Sequence, residues 1–187
     1  MCDFAASACA PAWAPYNRRM EAIDKSKVLC ADSASSADAA REVGSPVLVS
    51  ACLLGEPCRY DGEAVPSEAV TALADTHGFV PVCPEVLGGL PTPRTPSEIQ
   101  ADGRVIDAAG ADRTAAFEAG AREALRIARE HGCVRAILKE NSPSCGANRV
   151  YDGTFSGTLV PGEGKTAALL AKAGIEVLSD ADVEKRS

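Results

Sequence analysis

Strand-length apolar runs alternate with helix-forming stretches through most of this chain. The pattern predicts an α/β fold: a single domain with a mostly parallel sheet and helices on its faces, Rossmann-like in plan, behind an N-terminal extension. Two further observations point the same way. Val47 to Ala51, Phe79 to Val82 and Ala136 to Leu138 are short apolar runs that read as strands. The segments that follow them collect Cys, Pro, Gly, Glu and Ser at the carboxyl ends of the strands, where an open parallel sheet binds its ligands.

The elements follow in order. Residues 1–45 are read as the extension: rich in Ala and Ser, weakly periodic, with a helix expected at about 36–43 and three cysteines, Cys2, Cys9 and Cys30, away from any strand end. The domain is read as 46–187. Val47 to Ala51 reads as a strand leading into Cys52, and Arg59-Tyr60-Asp61-Gly62 as a turn. Ser67 is a plausible N-cap for a helix through Leu73 that ends at Gly78. Phe79 to Val82 is a strand leading into Cys83, and a Pro- and Gly-rich loop runs on to Arg94. A long helix from Asp112 or Thr114 to His131 places Phe117, Ala121, Ala124, Leu125 and Ala128 on one side, with Gly132 closing it. Arg135 to Leu138 is a strand leading towards Cys145. A helix from Lys165 to Ala173 and a strand from Ile175 to Leu178 complete the pattern.

Composition narrows the function. The net charge of −7 argues against a nucleic-acid polymer as partner. No apolar run approaches the roughly 20 residues of a membrane span, so no membrane partner is expected. The start has Asp3 and no apolar h-region, and Arg18-Arg19 is followed by a charged segment rather than an export core. Eight cysteines without a secretory leader read as thiols kept for metal or redox chemistry in the cytoplasm.

Cys52, Cys83 and Cys145 are far apart in sequence yet each lies just past a predicted strand, so the fold brings them together. Three thiolates at one point hold a metal and leave one coordination position free. Glu85 lies beside Cys83, placed either to take a proton from water or to form a cap or surface ion pair. Ser142, before Cys145, either relays a proton or caps a turn. Lys139 and Glu140 read as a solvated pair, Cys133 as a buried structural thiol, and His77 and His131 as helix C-terminal residues. Gly162-Glu163-Gly164-Lys165-Thr166 is not a P-loop, because Leu159 stands where the motif needs its first Gly; Gly164 is read as opening the last helix.

Taken together, Val49-Ser50-Ala51-Cys52-Leu53-Leu54-Gly55, Arg59-Tyr60-Asp61-Gly62, Cys83-Pro84-Glu85, Gly88-Gly89-Leu90-Pro91-Thr92-Pro93-Arg94 and Lys139-Glu140-Asn141-Ser142-Pro143-Ser144-Cys145-Gly146 resemble the thiouracil desulfidase family over roughly Pro46 to Leu178. The resemblance implies a [4Fe–4S] cluster held by Cys52, Cys83 and Cys145 with one iron lacking a protein ligand. It also implies Glu85 as catalytic acid–base and Ser142 as its assistant. The implied reaction is hydrolytic removal of sulfur, as sulfide, from a small thiolated nucleobase or related thiocarbonyl compound. Two other readings stand beside it: a zinc module on Cys52, Cys83, Cys145 and Cys58, and a thiol redox protein cycling Cys52 with Cys58. The oligomeric state is not legible.

Overall fold

The computed structural model describes residues 44–186. The expected extension, its helix at 36–43, and Cys2, Cys9 and Cys30 lie outside the described residues, Gly44 and Ser45 excepted. The sheet has four strands in the order β2–β1–β5–β8: β1 Val47–Ser50, β2 Phe79–Val82, β5 Arg135–Leu138 and β8 Glu176–Ser179. All three pairings are parallel. Every residue of β1 is buried, which explains why its sequence is apolar without alternation.

Register fixes the geometry of one end of the sheet. Ser50 pairs with Val82, Val49 with Ile137, and Leu138 with Ser179, so the carboxyl ends of the strands stand nearly level. The chain leaves β1 towards β2 on one side, and leaves β5 towards β8 on the other. The crevice between β1 and β5 is thus a topological switch point.

Helices flank the sheet. Val47, Val49 and Ile137 pack with Val70 of α1 (Glu68–Thr71) and Val183 of α5 (Asp180–Glu184). Leu48, Ala136 and Leu138 alternate with them and are fully buried as well. The long helix α3, Thr114–Glu130, turns Phe117, Gly120, Ala121, Ala124, Ile127 and Ala128 inward. Ile127 borders this stripe on one edge; Leu125, expected on the inner face, lies at the other edge and is only half-buried. Helix α4, Lys165–Lys172, packs against α3 and opens at Gly164, as expected.

Elsewhere the chain departs from the sequence reading. Ser67 does cap α1, accepting the amide of Val70 at 3.4 Å, but the helix tightens into a 3-10 turn at Ala72–Asp75. Only Val70 of α1 is buried, so little packing holds α geometry further. Ala51–Leu54, with Cys52, is a 3-10 turn rather than the end of β1. Two small antiparallel hairpins, β3 Ser97–Ile99 with β4 Val105–Asp107 and β6 Arg149–Tyr151 with β7 Leu159–Pro161, were not anticipated. Their strands are three residues long and partly polar, too short to carry a period.

The Pro/Gly-rich loop also holds a one-turn helix, α2, Pro84–Leu87, with Pro at its first position and Cys83 as N-cap. It lies against α3 at backbone distance. A Cβ on Gly120 would collide with the Pro84 carbonyl, and one on Gly88 with the Ala116 carbonyl. Gly120 therefore sets where α2, and with it Cys83 and Glu85, can sit. Gly→Ala in an exposed helix interior normally stabilises by about 1 kcal/mol. Here we expect Gly120→Ala to destabilise the protein by roughly 1–3 kcal/mol in denaturant unfolding, because α2 must move away. A gain in stability would contradict this packing.

Candidate active site at the strand ends

Cys52, Cys58, Cys83, Glu85, Ser142 and Cys145 all line one cavity of about 480 Å3 at the carboxyl end of the sheet. Each arrives from a different place. Cys52 is in the turn after β1, Cys83 follows β2, and Cys145 lies on the loop after β5. Cys58 comes from the long connection between β1 and α1. The five sequence-predicted site residues are thus together, and Cys58 is with them. All five described cysteines are free thiols. Among the described residues, no group of three or more His, Cys, Asp or Glu is drawn together as a single bound ion requires.

The thiols share protons unequally. Cys58 has one S–H proton that can go to the sulfur of either Cys52 or Cys83, and these contacts, with burial, push its own pKa well above the ordinary thiol range. The same hydrogen bond pulls Cys52 down, against burial and the nearby Cys83, with help from Lys139 and Arg59. Cys83 is likewise lowered, first by Cys58 and, against burial, by the amide of Val86 at the start of α2. As a thiol, Cys83 reaches the carbonyl of Cys58 at 3.5 Å; as a thiolate it accepts from Cys58 instead. Burial raises Cys145, opposed by a hydrogen bond from Ser50. Cys133, outside the site, is buried and pushed up to about 12 by desolvation alone, the inert thiol expected of it.

Glu85 is held tightly at one oxygen and loosely at the other. Its Oε2 accepts the Nε–H of Arg94 at 2.7 Å, in a pair whose side chains are 7% and 14% exposed. The other Arg94 nitrogens donate to the carbonyls of Cys58 (3.1 Å) and Pro91 (3.1 Å) and to Thr92 Oγ1 (3.2 Å). Glu85 Oε1 faces the hydroxyl of Ser142 at 3.5 Å. Ser142 Oγ accepts the amides of Ser144 and Cys145, both at 3.1 Å. With its lone pairs so engaged, the hydroxyl proton is left to point at Glu85. Ser142 caps its turn, one of its two readings from sequence, and its hydroxyl also faces the Glu85 carboxylate.

The loop bearing Cys145 is fastened from below. Gly164 meets Ser144 so closely that a Cβ would strike its carbonyl group, and Ser144 Oγ lies 2.9 Å from Thr166 Oγ1. Ser50 Oγ accepts the amide of Lys139 at 3.0 Å, tying β1 to the end of β5. Lys139 and Glu140 are not the solvated pair expected. Lys139 Nζ binds Asp180 at 2.6 Å, and the Glu140 carboxylate accepts the amides of Asn148 and Arg149. The start of α5 brings Asp180 within reach, a tertiary fact invisible in the strand-end sequence. Arg94 and Ser50 are the site residues that sequence reasoning left without a role. A lone Arg after a Pro-rich turn and a Ser inside an apolar run carry no spacing signal; only the polar residue buried in β1 was a clue.

The family model for 2-thiouracil desulfurase matches residues 47–182, and the chain belongs to this family. It is 44% identical over 143 residues to the uncharacterized protein YbbK of Bacillus subtilis (strain 168), covering 72% of this chain and 95% of YbbK. It is also similar to a solved structure of the [4Fe-4S]-dependent thiouracil desulfidase TudS, with 46% identity and a TM-score of 0.70, covering 75% of this chain and 94% of that one.

The Arg94–Glu85 pair makes a thermodynamic prediction. Arg94→Met leaves a part-buried carboxylate without its partner and should cost about 1–3 kcal/mol in denaturant unfolding. Adding Glu85→Leu should recover part of that loss, giving a coupling energy of about 1–3 kcal/mol in a double-mutant cycle. Additive effects of the two changes would contradict a direct pair.

Proposed function

We propose that the chain is a [4Fe-4S]-dependent desulfidase that removes sulfur, as sulfide, from a small thiolated nucleobase or related thiocarbonyl compound. The observation that carries this reading is the convergence of Cys52, Cys83 and Cys145 with the Glu85–Ser142 pair in one cavity. Membership of the family and the likeness to a cluster-dependent desulfidase support it.

The donor set suits the cofactor. Thiolates are the ligands of iron–sulfur clusters, and Cys52 and Cys83 are both biased towards the thiolate. Cys52, Cys83 and Cys145 would hold the cluster, with Cys58 beside them. When bound, such a cluster supplies a soft Lewis-acidic iron suited to the sulfur of a thiocarbonyl.

The protein's own groups handle water and protons. Arg94 fixes Oε2 of Glu85, so Oε1 is the oxygen that takes a proton from water as the C–O bond forms at the thiocarbonyl carbon. Ser142, hydrogen-bonded to that same oxygen, helps Glu85 pass the proton on to the departing sulfur. The C–S bond breaks and sulfide leaves. One water is consumed, a carbonyl replaces the thiocarbonyl, and there is no net redox change. The cytoplasm suits thiols of this kind, and the net charge of −7 suits a small substrate better than a nucleic-acid polymer. Among the described residues, no helix is long and apolar enough to cross a membrane.

The test is anaerobic reconstitution with iron and sulfide, followed by assay of sulfide release from 2-thiouracil and other thiolated pyrimidines. Glu85→Gln should retain iron and release sulfide about 100-fold more slowly or worse. Ser142→Ala should be milder, about tenfold, because water can bridge in place of a hydroxyl. Undiminished turnover in Glu85→Gln at equal iron content would remove Glu85 from the mechanism. A reconstituted wild type that releases no sulfide from any thiocarbonyl compound would overturn the reading.

A further inference from the structure

Among the described residues, Tyr60 and Phe155 are the only exposed large hydrophobic side chains, 43% and 40% exposed, and both line the cavity. A single exposed aromatic needs no explanation. Two of them, from loops far apart in sequence and both at the rim of the same cavity, do.

Both are held in place. Phe155 has φ +56°, a conformation that a bulky side chain rarely adopts. Such a residue persists only where its surroundings impose it, and these cases cluster at ligand clamps. Here the surroundings are explicit. The amide of Phe155 donates to Oε2 of Glu98 at 3.0 Å, and Glu98 is itself buried. The hairpin tip around Phe155 is closed by Asp152, which accepts the amide and hydroxyl of Thr154 at 3.0 and 2.6 Å, and by the Ser156–Thr158 contact at 2.8 Å. Gln100 Nε2 donates to the Gly153 carbonyl at 2.9 Å, tying the hairpin to β3. Tyr60 is fastened differently: its carbonyl accepts the amide of Arg94 at 2.7 Å, and the Arg59 guanidinium sits 5.6 Å over its ring. Arg59 is held in turn by Asp61 at 2.9 Å. Neither aromatic is needed for the core, and neither contributes to the Glu85–Ser142 chemistry.

We propose that Tyr60 and Phe155 form an aromatic rim that holds the flat ring of a thiolated heterocycle. The ring, and not the thiocarbonyl alone, is then what the site selects. The proposal rests on the desulfidase reading for the sulfur but not for the ring, since stacking needs only a π face. Stacking of a base on one aromatic side chain typically changes affinity roughly five- to 150-fold.

The probes are uracil, which has the ring and no sulfur, 2-thiouracil, which has both, and thioacetamide, which has the thiocarbonyl and no ring. Phe155→Leu and Tyr60→Leu keep apolar bulk and remove the ring; Phe155→Tyr and Tyr60→Phe keep it. In ligand-observed NMR titrations of the reconstituted protein, each Leu variant should weaken uracil binding about tenfold. The ratio of kcat/KM for 2-thiouracil to that for thioacetamide should fall by a similar factor. The two conservative variants should keep both values near wild type. Uracil binding unchanged in both Leu variants would overturn the proposal. So would an equal fall in kcat/KM for both sulfur compounds, which would mark a merely structural role. Tyr60 is on a separate loop without backbone strain, so a folding defect in the Phe155 variant leaves the test standing. Uracil binding also reads the rim if no sulfide is released, which separates failure of this proposal from failure of the desulfidase reading.

Discussion

Strand β1 is bonded in parallel on both sides, to β2 and to β5, and the register of those two ladders governs what lies above them. Three loops leave the sheet at nearly one level, and each delivers a cysteine to the same cavity. A slip of one residue in either ladder would turn every side chain of that strand to the opposite face and bury the wrong set. The apolar burial of Leu48, Val49, Val82, Ile137 and Leu138 is what forbids that slip. The hydrophobic core and the placement of the thiols are therefore the same constraint, expressed at the middle and at the end of the strands.

Above the strand ends, precision comes from backbone contact and from hydrogen bonds with no spare capacity. Gly120 lets α2 rest on α3, which places Cys83 and Glu85; Gly164 lets α4 start against Ser144, which places Ser142 and Cys145. Arg94 then joins the Glu85 carboxylate to the loop of Cys58 and to its own Pro-rich turn. Each group that faces the cavity is positioned by something rigid behind it, as a catalytic arrangement demands.

The sequence made the sheet legible because its strands are buried on both faces and bounded by breakers. All four strands, the long α3 and α4 follow from apolar runs, Ser67 and Gly164 from their cap positions, and Gly132 from its place after α3. The meeting of Cys52, Cys83 and Cys145 followed from the βα order alone. What was not legible depends on distance rather than period. The one-turn α2 reads as a loop because Pro and Gly dominate it. The β3–β4 and β6–β7 hairpins are too short to alternate. The anchoring of Glu85 by Arg94, of Lys139 by Asp180, and of Phe155 by Glu98 joins segments that no local pattern connects. Leu125 and Ile127 flank the inner stripe of α3 on opposite edges, where a 3.6-residue period leaves burial ambiguous; packing buries Ile127 and leaves Leu125 half-buried.

The central claim is that three cysteines from three strand ends, and not Cys58, hold an iron–sulfur cluster. Its most direct test is the iron bound per chain after anaerobic reconstitution of single Cys→Ser variants, read by iron analysis and visible absorption. Cys52→Ser, Cys83→Ser and Cys145→Ser should each lose most of the iron and the brown colour, while Cys58→Ser should stay close to wild type. If Cys58→Ser loses iron as completely as Cys52→Ser, four cysteines ligate the metal, and a site with an open coordination position is the wrong account.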